Sequence, residues 1–415
     1  MFFIALLPAE VVSAPVVFLG LGVILLTVQI PPLLVLLSRL LQGPGRRKPL
    51  QPQTATSDQL GAVSVVVPTL NEAHRIGPCL EGLSRQGYEV REVIVVDSRS
   101  TDGTPDLIKQ RQLKDPRFRL VTDDPLPTGW VGRPWALHTG FLQSSEGSQW
   151  ILGIDADTQP QPGLVSALIR AAESEGYDLV SLAPQFILKT LGELWLQPAL
   201  LMTLVYRFGP AGAETETPER VMANGQCFLC RRSVLAQLGG YASARASFCD
   251  DVTLARYAAA QGAKVGFWDG SRLLKVRMYE GFTETWQEWG RSLDLKDAAS
   301  VGQVWWDLWY LMAVQALPWI LGPLLLIMTL LGGTLSGPWA LLLWINLGLI
   351  AARFGLQAAI QPSYDLSQAE GKWAFWLAPL ADVLAVYRIA LSSTRRPTRW
   401  RGREYSGFTS DPIQS

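Results

Sequence analysis

The chain has 415 residues, 48% of them hydrophobic, and its 36 basic and 36 acidic residues give a formal net charge of +0. This balance gives no electrostatic footprint for nucleic acid, so we exclude that class of partner. The mean hydropathy of +0.17 is high for a wholly soluble protein. Because the apolar residues concentrate at both ends of the chain, the composition predicts membrane segments on either side of a globular middle.

The first apolar run, residues 11–41, is long enough to cross the ~30 Å hydrocarbon layer of a membrane. Residues 1–10 contain no basic side chain, unlike the start of a cleaved signal peptide. Positive charge gathers at the end of the run and just after it, at Arg39, Arg46, Arg47 and Lys48. By the positive-inside rule, the next domain is predicted to lie in the cytoplasm, after a Pro-rich and polar linker at residues 43–61.

The middle of the chain alternates β-branched apolar runs with helical segments. The predicted strands are residues 62–67, 93–96, 118–122, 150–154 and 221–229. The predicted helices are residues 76–86, 104–112, 135–143 and 252–261. This alternation predicts an α/β fold with a doubly wound, mostly parallel sheet. No Gly-rich phosphate loop follows the first strand, so a diphosphate ligand needs a metal ion instead.

Asp155 and Asp157 come directly after the predicted strand at residues 150–154. In open α/β sheets the ligand crevice lies at the carboxyl ends of the strands. Carboxylates at positions i and i+2 can both reach one divalent cation, such as Mg²⁺ or Mn²⁺ carrying a diphosphate. The alternative interpretation is a simple turn after a strand, since Asp commonly starts turns.

Apolar segments return in the last third of the chain. Two of them are predicted to span the membrane, residues 305–331 and 338–360. A third segment, residues 373–391, contains Asp382 and Arg388, and a further crossing would place the basic tail at residues 395–403 outside. We therefore predict that the third segment is an interfacial or re-entrant helix and that the tail is cytoplasmic.

Three motifs occur in an order and spacing that resembles the family 2 inverting glycosyltransferases of the GT-A fold: residues 63–71, 97–103 and 155–157. The resemblance covers roughly residues 63–290, and residues 400–405 are similar to membrane-bound members. Within the family, residues 127–137 look most like the enzymes that glycosylate carotenoids, with hopanoid-associated and ceramide glucosyltransferases next. The resemblance implies a nucleotide-sugar donor, a Mg²⁺ or Mn²⁺ cofactor, and transfer with inversion.

The resemblance also implies roles for residues on the donor side. Those that would contact the nucleotide or its phosphates are Pro68, Thr69, Asn71, Glu72, Asp97, Arg133 and Asp155. Asp97 would accept a hydrogen bond from the base or ribose, and Arg133 would neutralise the diphosphate. Asp155 and Asp157 would bind the metal. The chain departs from the family at Ser98, where a second acid is common, and at Arg99, where Gly is usual.

On the catalytic side, Asp250 and Asp251 correspond to the family's acidic pair. An inverting transfer needs one general base for the acceptor hydroxyl, and we assign Asp251 to it, with Asp250 as its support or as the swapped candidate. The alternative is that both cap the helix that follows. Arg291 would hold the leaving diphosphate. The polymer motif Gln-x-x-Arg-Trp is absent, which favours transfer of a single sugar.

Gln226 and Trp289 are assigned to the acceptor side by the same resemblance. Residues 192–210 fit either an interfacial helix or a core helix. We predict that residues 194–206, together with Trp286 and Trp289, flank a membrane-facing opening that leads to Asp251.

These assignments divide the chain into residues 1–42 (N-terminal transmembrane segment), 43–61 (linker), 62–297 (glycosyltransferase domain), 298–392 (membrane helices) and 393–415 (cytoplasmic tail). The leading hypothesis is an integral membrane enzyme that transfers one sugar to a lipid hydroxyl, with a carotenoid first and a hopanoid or ceramide lipid as the alternative. A hypothesis of another class is a transporter or channel with a regulatory nucleotide-binding domain. The missing polymer motif and the few spans disfavour a processive polysaccharide synthase.

Overall fold

The folded domain contains two β-sheets. The structure is a computed structural model, and it describes residues 14–215, 217–289, 293, 295–394, 399–400 and 403–404. The strands of the two sheets are β1 (Val63–Thr69), β2 (Val90–Asp97), β3 (Phe118–Thr122), β4 (Trp150–Ile154), β5 (Thr158–Pro160), β6 (Leu179–Ala183), β7 (Gln185–Ile187), β8 (Cys227–Arg231), β9 (Val265–Asp269), β10 (Leu274–Val276) and β11 (Tyr364–Asp365). A separate two-stranded ribbon is formed by β12 (Arg399–Trp400) and β13 (Arg403–Glu404).

The larger sheet has seven strands in the order β3-β2-β1-β4-β8-β6-β9. Its neighbours pair in parallel, except that β8 runs antiparallel to both β4 and β6. The mostly parallel sheet that the alternating pattern predicts is therefore confirmed.

Helices cover both faces of this sheet, as a doubly wound fold requires. The domain helices are α2 (Ile76–Ser84), α3 (Thr104–Lys114), α4 (Gly132–Leu142), α5 (Leu164–Glu175), α7 (Arg232–Gln237) and α8 (Asp250–Ala260). Successive strand residues point to opposite faces, and β1 illustrates this. Val65 and Val67 pack in one apolar cluster with α2 and α5, whereas Val66 packs in another with α4 and α8.

The smaller sheet, with strand order β11-β7-β10-β5, is not anticipated by the sequence. Its strands have only two or three residues each, too few to show a periodic pattern. The pairing of β11 with β7 joins the chain beyond the membrane helices to the folded domain.

Three helices are long and apolar enough to cross a membrane. The first is α1 (Ala14–Gln42), and the third is α12 (Pro338–Ile360). The second runs through α10 (Val301–Leu311), a π turn at Met312–Ala316 and α11 (Leu317–Leu330). The π turn comes just before Pro318. Proline has no backbone N–H, so Pro318 cannot donate a hydrogen bond to a carbonyl one turn earlier in the helix. The predicted apolar helices at the N-terminal and C-terminal ends are therefore confirmed as helices that could span a membrane.

The third predicted C-terminal segment is broken and is not among the candidate spans. It contains α13 (Trp373–Trp376), a 3₁₀ turn at Ala378–Ala381 and α14 (Asp382–Thr394). Asp382 accepts two hydrogen bonds from the Arg353 guanidinium of α12, at 2.7 and 3.1 Å, and both side chains are buried. This geometry agrees with a segment that packs against the candidate membrane helices and does not itself cross the membrane.

The segment at residues 192–210 forms α6 (Leu191–Phe208), which begins with a capping box between Thr190 and Glu193. It packs against α9 (Gly281–Glu288), α14 and α1. Leu196, Leu200 and Tyr206 are buried in this contact. Of the two interpretations of this segment, the core helix describes these buried side chains better.

Two predicted boundaries differ from the structure. The linker at residues 43–61 lies along the domain, because the backbone N–H groups of Arg47 and Leu50 each donate to domain carbonyls at 2.9 Å. The strand predicted at residues 221–229 begins only at Cys227. The preceding residues form a loop in which the N–H of Gln226 donates to the side chain of Asn224.

Candidate active site

A cavity of about 1300 Å³ lies at the carboxyl ends of the central strands. Residues after β1, β4 and β6 line one side of it, and the start of α8 lines another. Four aspartates from distant parts of the sequence share its wall: Asp155, Asp157, Asp250 and Asp251. The fold therefore gathers the predicted metal ligands and the predicted base in one place.

Arg133, at the start of α4, lies between the two pairs of aspartates. Its Nε and Nη2 donate to Oδ1 of Asp155 at 3.0 and 2.9 Å, and its Nη1 donates to Asp250. Nη2 also donates to the carbonyl of Gly225 at 2.7 Å. One guanidinium thus joins the end of β4 to the start of α8 and to the loop before β8.

Three aspartates of the cavity have pKa values raised above those of ordinary carboxyls. Burial raises the pKa of Asp157 to about 7, and the charge of Asp155 adds to this shift. Burial also raises the pKa of Asp250 to about 7, although the Arg133 guanidinium opposes the shift. For Asp251, burial again raises the pKa against the opposing effects of Arg133 and two backbone N–H groups. A cation placed among these groups would favour their charged forms.

The donor set after β4 fits a hard divalent cation. Among the described residues, no three or more His, Cys, Asp or Glu side chains lie close enough together to hold a metal ion by themselves. Mg²⁺ and Mn²⁺, however, commonly take one or two carboxylates and complete their ligands with phosphates and water. Both contacts from Arg133 end on Oδ1 of Asp155, so this arginine does not engage Oδ2.

Asp251 is held by backbone amides at the start of α8. The N–H of Gly225 donates to its Oδ2 at 2.6 Å, and the N–H of Val252 donates to its Oδ1 at 2.8 Å. The helix-cap interpretation is wrong in its position, because α8 begins at Asp250 with Cys249 as its N-cap and without a side-chain cap. Because Asp251 also lines the cavity, the same contacts orient its carboxyl toward a ligand there.

The loops after β1 and β2 are joined at the donor side of the cavity. Asp97 accepts from the hydroxyl of Thr69 at 3.2 Å and from the N–H of Ser100 at 2.9 Å. Asn71 has a φ of 55° and accepts from the N–H of Thr101 at 2.9 Å. Asn71 and Glu72 line the cavity, whereas Pro68, Thr69 and Asp97 lie just behind its wall at the strand ends.

The carboxylate of Asp123 lies next to Ser98, the position at which the family often has a second acid. The hydroxyl of Ser98 donates to a carboxylate oxygen of Asp123 at 2.7 Å, and this aspartate follows β3. Asp123 also accepts the indole N–H of Trp135 on its backbone carbonyl, at 2.5 Å. Sequence reasoning missed Asp123, whose only signal is its position after a strand, like that of Asp97 and Asp155.

A second residue that sequence reasoning missed is Arg75, just before α2. Its Nη2 donates to Glu284 of α9 at 2.9 Å, and its Nη1 donates to the carbonyl of Met278 at 3.1 Å. Its charge lowers the pKa of Asp157, against the effect of burial. Arg75 therefore links the metal-side carboxylates to the helix on the other side of the cavity.

The predicted acceptor-side residues lie in different parts of the wall, with Gln226 beside the end of β4, where its carbonyl accepts from the N–H of Asp155 at 3.3 Å. Gln226 is buried and its Oε1 accepts from Asn224 at 3.1 Å. Trp289 is 5% exposed, with its ring centroid 5.8 Å from that of Phe186. Apolar side chains continue the wall here, from Leu201, Leu204, Val205 and Phe208 of α6 to Ala359 and Ile360 at the end of α12. Arg291, the third predicted catalytic residue, lies outside the described residues.

Comparison with known proteins identifies the domain. Residues 64–239 match the family model described as glycosyl transferase family 2. The chain is 25% identical over 235 residues to the 4,4'-diaponeurosporenoate glycosyltransferase of Staphylococcus haemolyticus, covering 56% of this chain and 61% of that protein. It is 24% identical over 235 residues to the probable glycosyltransferase YdaM of Bacillus subtilis, covering 56% of this chain and 54% of that protein. The chain thus spans little more than half the length of these relatives.

A solved structure resembles nearly the whole chain. The mannosyltransferase PcManGT of Pyrobaculum calidifontis, in complex with GDP-Man and Mn²⁺, has a TM-score of 0.52 at 19% identity, covering 91% of this chain and 99% of that one. At this identity the likeness shows the fold. Residues 64–239 therefore match the model of glycosyl transferase family 2, and the chain has an α/β fold of the GT-A type with apolar helices at both ends.

Proposed function

We propose that the protein is a membrane-bound, inverting glycosyltransferase that moves one sugar from a nucleotide-sugar to the hydroxyl of a lipid. One observation carries this proposal. A single cavity extends from the four aspartates to an apolar wall formed by α6 and by the end of the membrane helix α12. A polar, acidic end suits a metal-bound diphosphate, and an apolar end suits the body of a lipid.

On the donor side, Asp155 and Asp157 would hold Mg²⁺ or Mn²⁺, which when bound offsets the negative charge of the diphosphate. Arg133 would turn part of its guanidinium from Asp155 to a phosphate oxygen, for which a bidentate fork is well suited. Pro68, Thr69, Asn71, Glu72 and Asp97 form the base and ribose side through the joined loops. The Mn²⁺ and GDP-Man in the complex of the similar mannosyltransferase support this arrangement.

On the acceptor side, Asp251 takes the hydroxyl proton while the acceptor oxygen bonds to the anomeric carbon and the bond from that carbon to the diphosphate breaks. The attack comes from the face opposite the leaving group, so the configuration inverts. Asp250 supports the base through Arg133, and Gln226 and Trp289 border the acceptor. Arg291 remains a proposed contact of the leaving diphosphate.

A lipid acceptor is supported by the relatives as well as by the apolar wall. The 4,4'-diaponeurosporenoate glycosyltransferases of two Staphylococcus species act, by their names, on a carotenoid acid. A Mycobacterium tuberculosis relative is named an N-acetylglucosaminyl-diphospho-decaprenol L-rhamnosyltransferase. We place a carotenoid first among acceptors and a hopanoid or ceramide second. The transporter or channel hypothesis is not favoured, because the relatives are glycosyltransferases.

The catalytic domain is proposed to face the cytoplasm. Arg39 lies in the last turn of the first span and Arg46, Arg47 and Lys48 follow it, as the positive-inside rule requires. The strand β11 follows α12 and pairs with β7 of the domain, so the chain must return to the side of the domain after α12. Two crossings between residues 301 and 363 meet this condition. The proposed division into segment, linker, domain, membrane helices and tail keeps the order of the sequence analysis, although the linker and β11 both contact the domain.

A transfer assay with purified protein in lipid vesicles tests this function. We expect sugar transfer from a nucleotide-sugar, in the presence of Mn²⁺ or Mg²⁺, to a hydroxylated carotenoid or another membrane lipid with a free hydroxyl. Product analysis of the anomeric configuration checks the inversion. Transfer to water-soluble acceptors alone would contradict the lipid proposal, and the absence of any transfer or donor hydrolysis would contradict the enzyme class.

A further inference from the structure

A group of four arginines lies outside the cavity, where the first membrane helix meets the domain. They are Arg39 in the last turn of α1, Arg207 at the end of α6, Arg220 in the loop before β8, and Arg256 of α8. We propose that these four guanidinium groups, called here the arginine cluster, bind the phosphate group of a membrane lipid. This inference goes beyond the proposed transfer reaction, which uses none of these residues.

The arginines surround the end of α6. Arg39 and Arg220 donate to the backbone carbonyls of Tyr206 and Arg207, each at 2.6 Å. Arg207 donates to the carbonyl of Thr203 at 3.1 Å. The guanidinium groups of Arg207 and Arg256 lie 5.1 and 5.6 Å from the ring centroid of Phe208. The four charges are therefore held close together around one helix terminus.

These contacts satisfy hydrogen bonds without neutralising the charge. Within the described residues, the one buried carboxylate at the arginine cluster is Asp307 of α10, which lies 3.5 Å from Arg207; Glu219 is exposed at the rim. Among the described residues, the four arginines face one buried aspartate and one exposed glutamate, so positive charge is in excess there. Burial lowers the pKa of Arg256 to about 10, and the charge of Arg207 adds to this effect. A buried excess of charge is costly unless an anion compensates it.

One N–H donor of the arginine cluster, on Nη2 of Arg256, has no hydrogen-bond partner in the described part of the chain. Arg256 is 8% exposed, and its Nε and Nη1 donate to the carbonyls of Val221 and Ala298. Its Nη2 is buried. Buried donors are normally satisfied. A phosphate oxygen would accept from such a donor in a charge-assisted hydrogen bond.

The depth of the arginine cluster indicates that the phosphate belongs to a lipid. Arg39 ends the first candidate span, and Asp307 lies in the second turn of the span that begins at Val301. Trp305 and Trp306 on the same part of α10 are 63% and 40% exposed, as is typical of aromatic belts at the membrane surface. Arg220 is the most exposed of the four arginines, so we expect the headgroup to enter beside it.

The test uses the full chain in vesicles of phosphatidylcholine alone or of phosphatidylcholine and phosphatidylglycerol in equal parts. We expect phosphatidylglycerol to raise the unfolding temperature and to remain bound in native mass spectra. In Arg220→Gln the affinity should fall roughly tenfold or more, as for the loss of a hydrogen bond between charged groups. Arg220→Lys, which keeps the charge, should retain part of it. Stabilisation by a nucleotide-sugar shows that each variant is folded.

Arg170→Gln is the matched control, since Arg170 is exposed and donates only to Gln53 and Thr54, at 3.3 Å. It should keep the full response to phosphatidylglycerol. An equal response in Arg220→Gln, or none in the unchanged chain, overturns the proposal. If inorganic phosphate in phosphatidylcholine vesicles gives the same Arg220-dependent shift, the site is a phosphate site for a soluble anion, and the assignment to a lipid is overturned.

Discussion

Arg133 is the residue on which the arrangement of the cavity depends most. It contacts Asp155, 22 positions away in the sequence, and Asp250, 117 positions away. Its positive charge lies among four carboxyls, three of which have raised pKa values. It therefore holds these carboxyls together, and we expect it to turn toward the diphosphate when a donor and a metal ion bind.

Replacing Asp157 with Asn should remove the metal-dependent binding of the donor. The amide is a weaker ligand for a hard cation than a carboxylate, and we expect transfer to fall by about 10²-fold or more. The readout is the shift in unfolding temperature produced by a nucleotide-sugar with Mn²⁺. Asp106→Asn, at an exposed position of α3, is the control and should keep the shift. Unchanged rates in Asp157→Asn would remove the metal assignment.

The identity of the base is tested by comparing Asp251→Asn with Asp250→Asn. Loss of a general base slows proton transfer by roughly 10²–10⁴-fold, so Asp251→Asn should reduce kcat by this amount while the donor still binds. In Asp250→Asn we expect a smaller loss, because Arg133 keeps its contacts with Asp155 and Gly225. A larger loss in Asp250→Asn than in Asp251→Asn would exchange the two roles.

The pH dependence of transfer follows from the same pair. Burial raises the pKa of Asp250 to about 7 and also raises that of Asp251, and only the carboxylate form of a base accepts a proton. Activity is therefore expected to be lost as the pH falls, and at a higher pH than an ordinary carboxyl would set, with kcat/KM for the acceptor, measured at saturating metal, reporting the free enzyme. Asp250→Asn should move this limb to lower pH. A flat profile would contradict the assignment of a buried carboxyl as the base.

At the scale of the element, α6 is the helix that connects the chemistry to the membrane. One side of it is buried against α1 and α14, and another side lines the cavity through Leu201, Leu204, Val205 and Phe208. Its C-terminal end lies at the arginine cluster. A helix with these contacts can hold an apolar acceptor close to the aspartates.

The apolar wall is tested by Leu204→Glu. A carboxylate in this wall should raise the KM for a lipid acceptor by roughly tenfold or more, since burying an uncompensated charge beside an apolar ligand is unfavourable. Hydrolysis of the donor in the absence of acceptor should change little, because the metal ligands are untouched. Leu113→Glu, at a position that is 89% exposed, is the control. An unchanged KM for the lipid would show that the acceptor does not contact α6.

The broken segment after residue 372 shows how one ion pair can settle the path of the chain. Arg353 and Asp382 are buried together, and Gln357 donates to the carbonyl of Phe375 at 2.8 Å. The charged side chains of α12 and α14 therefore satisfy each other's hydrogen bonds, and neither helix exposes a charged group of this pair to lipid.

At the scale of the whole molecule, the pairing of β11 with β7 requires that the chain beyond α12 lies on the side of the domain. All four cysteines are buried, so single introduced cysteines can report the topology. We expect Ser336→Cys, in the exposed loop between α11 and α12, to react with a membrane-impermeant reagent on intact cells. Ser367→Cys, exposed beyond β11, should react only after permeabilisation. The reverse pattern would place the domain outside the cell.

Much of the fold could be predicted from local pattern. The strands at Phe118–Thr122 and Trp150–Ile154 and the helix Pro338–Ile360 have the predicted bounds, because each is a mainly apolar segment bounded by polar or turn residues. The two-residue and three-residue strands of the second sheet escaped prediction, since pairing with distant partners, and not their own composition, makes them strands.

The sequence by itself determined the α/β class of the domain, the three apolar segments and the aspartates at the strand ends, because these depend on periodicity and on short spacings along the chain. Only the tertiary structure decided which groups meet. The contacts of Arg133 with Asp250, of Arg75 with Glu284, of Ser98 with Asp123 and of Arg353 with Asp382 each join elements far apart in sequence. Such contacts form when the packing of whole elements brings buried charges within hydrogen-bond distance, and burial without a partner would be too costly. No local pattern records that requirement.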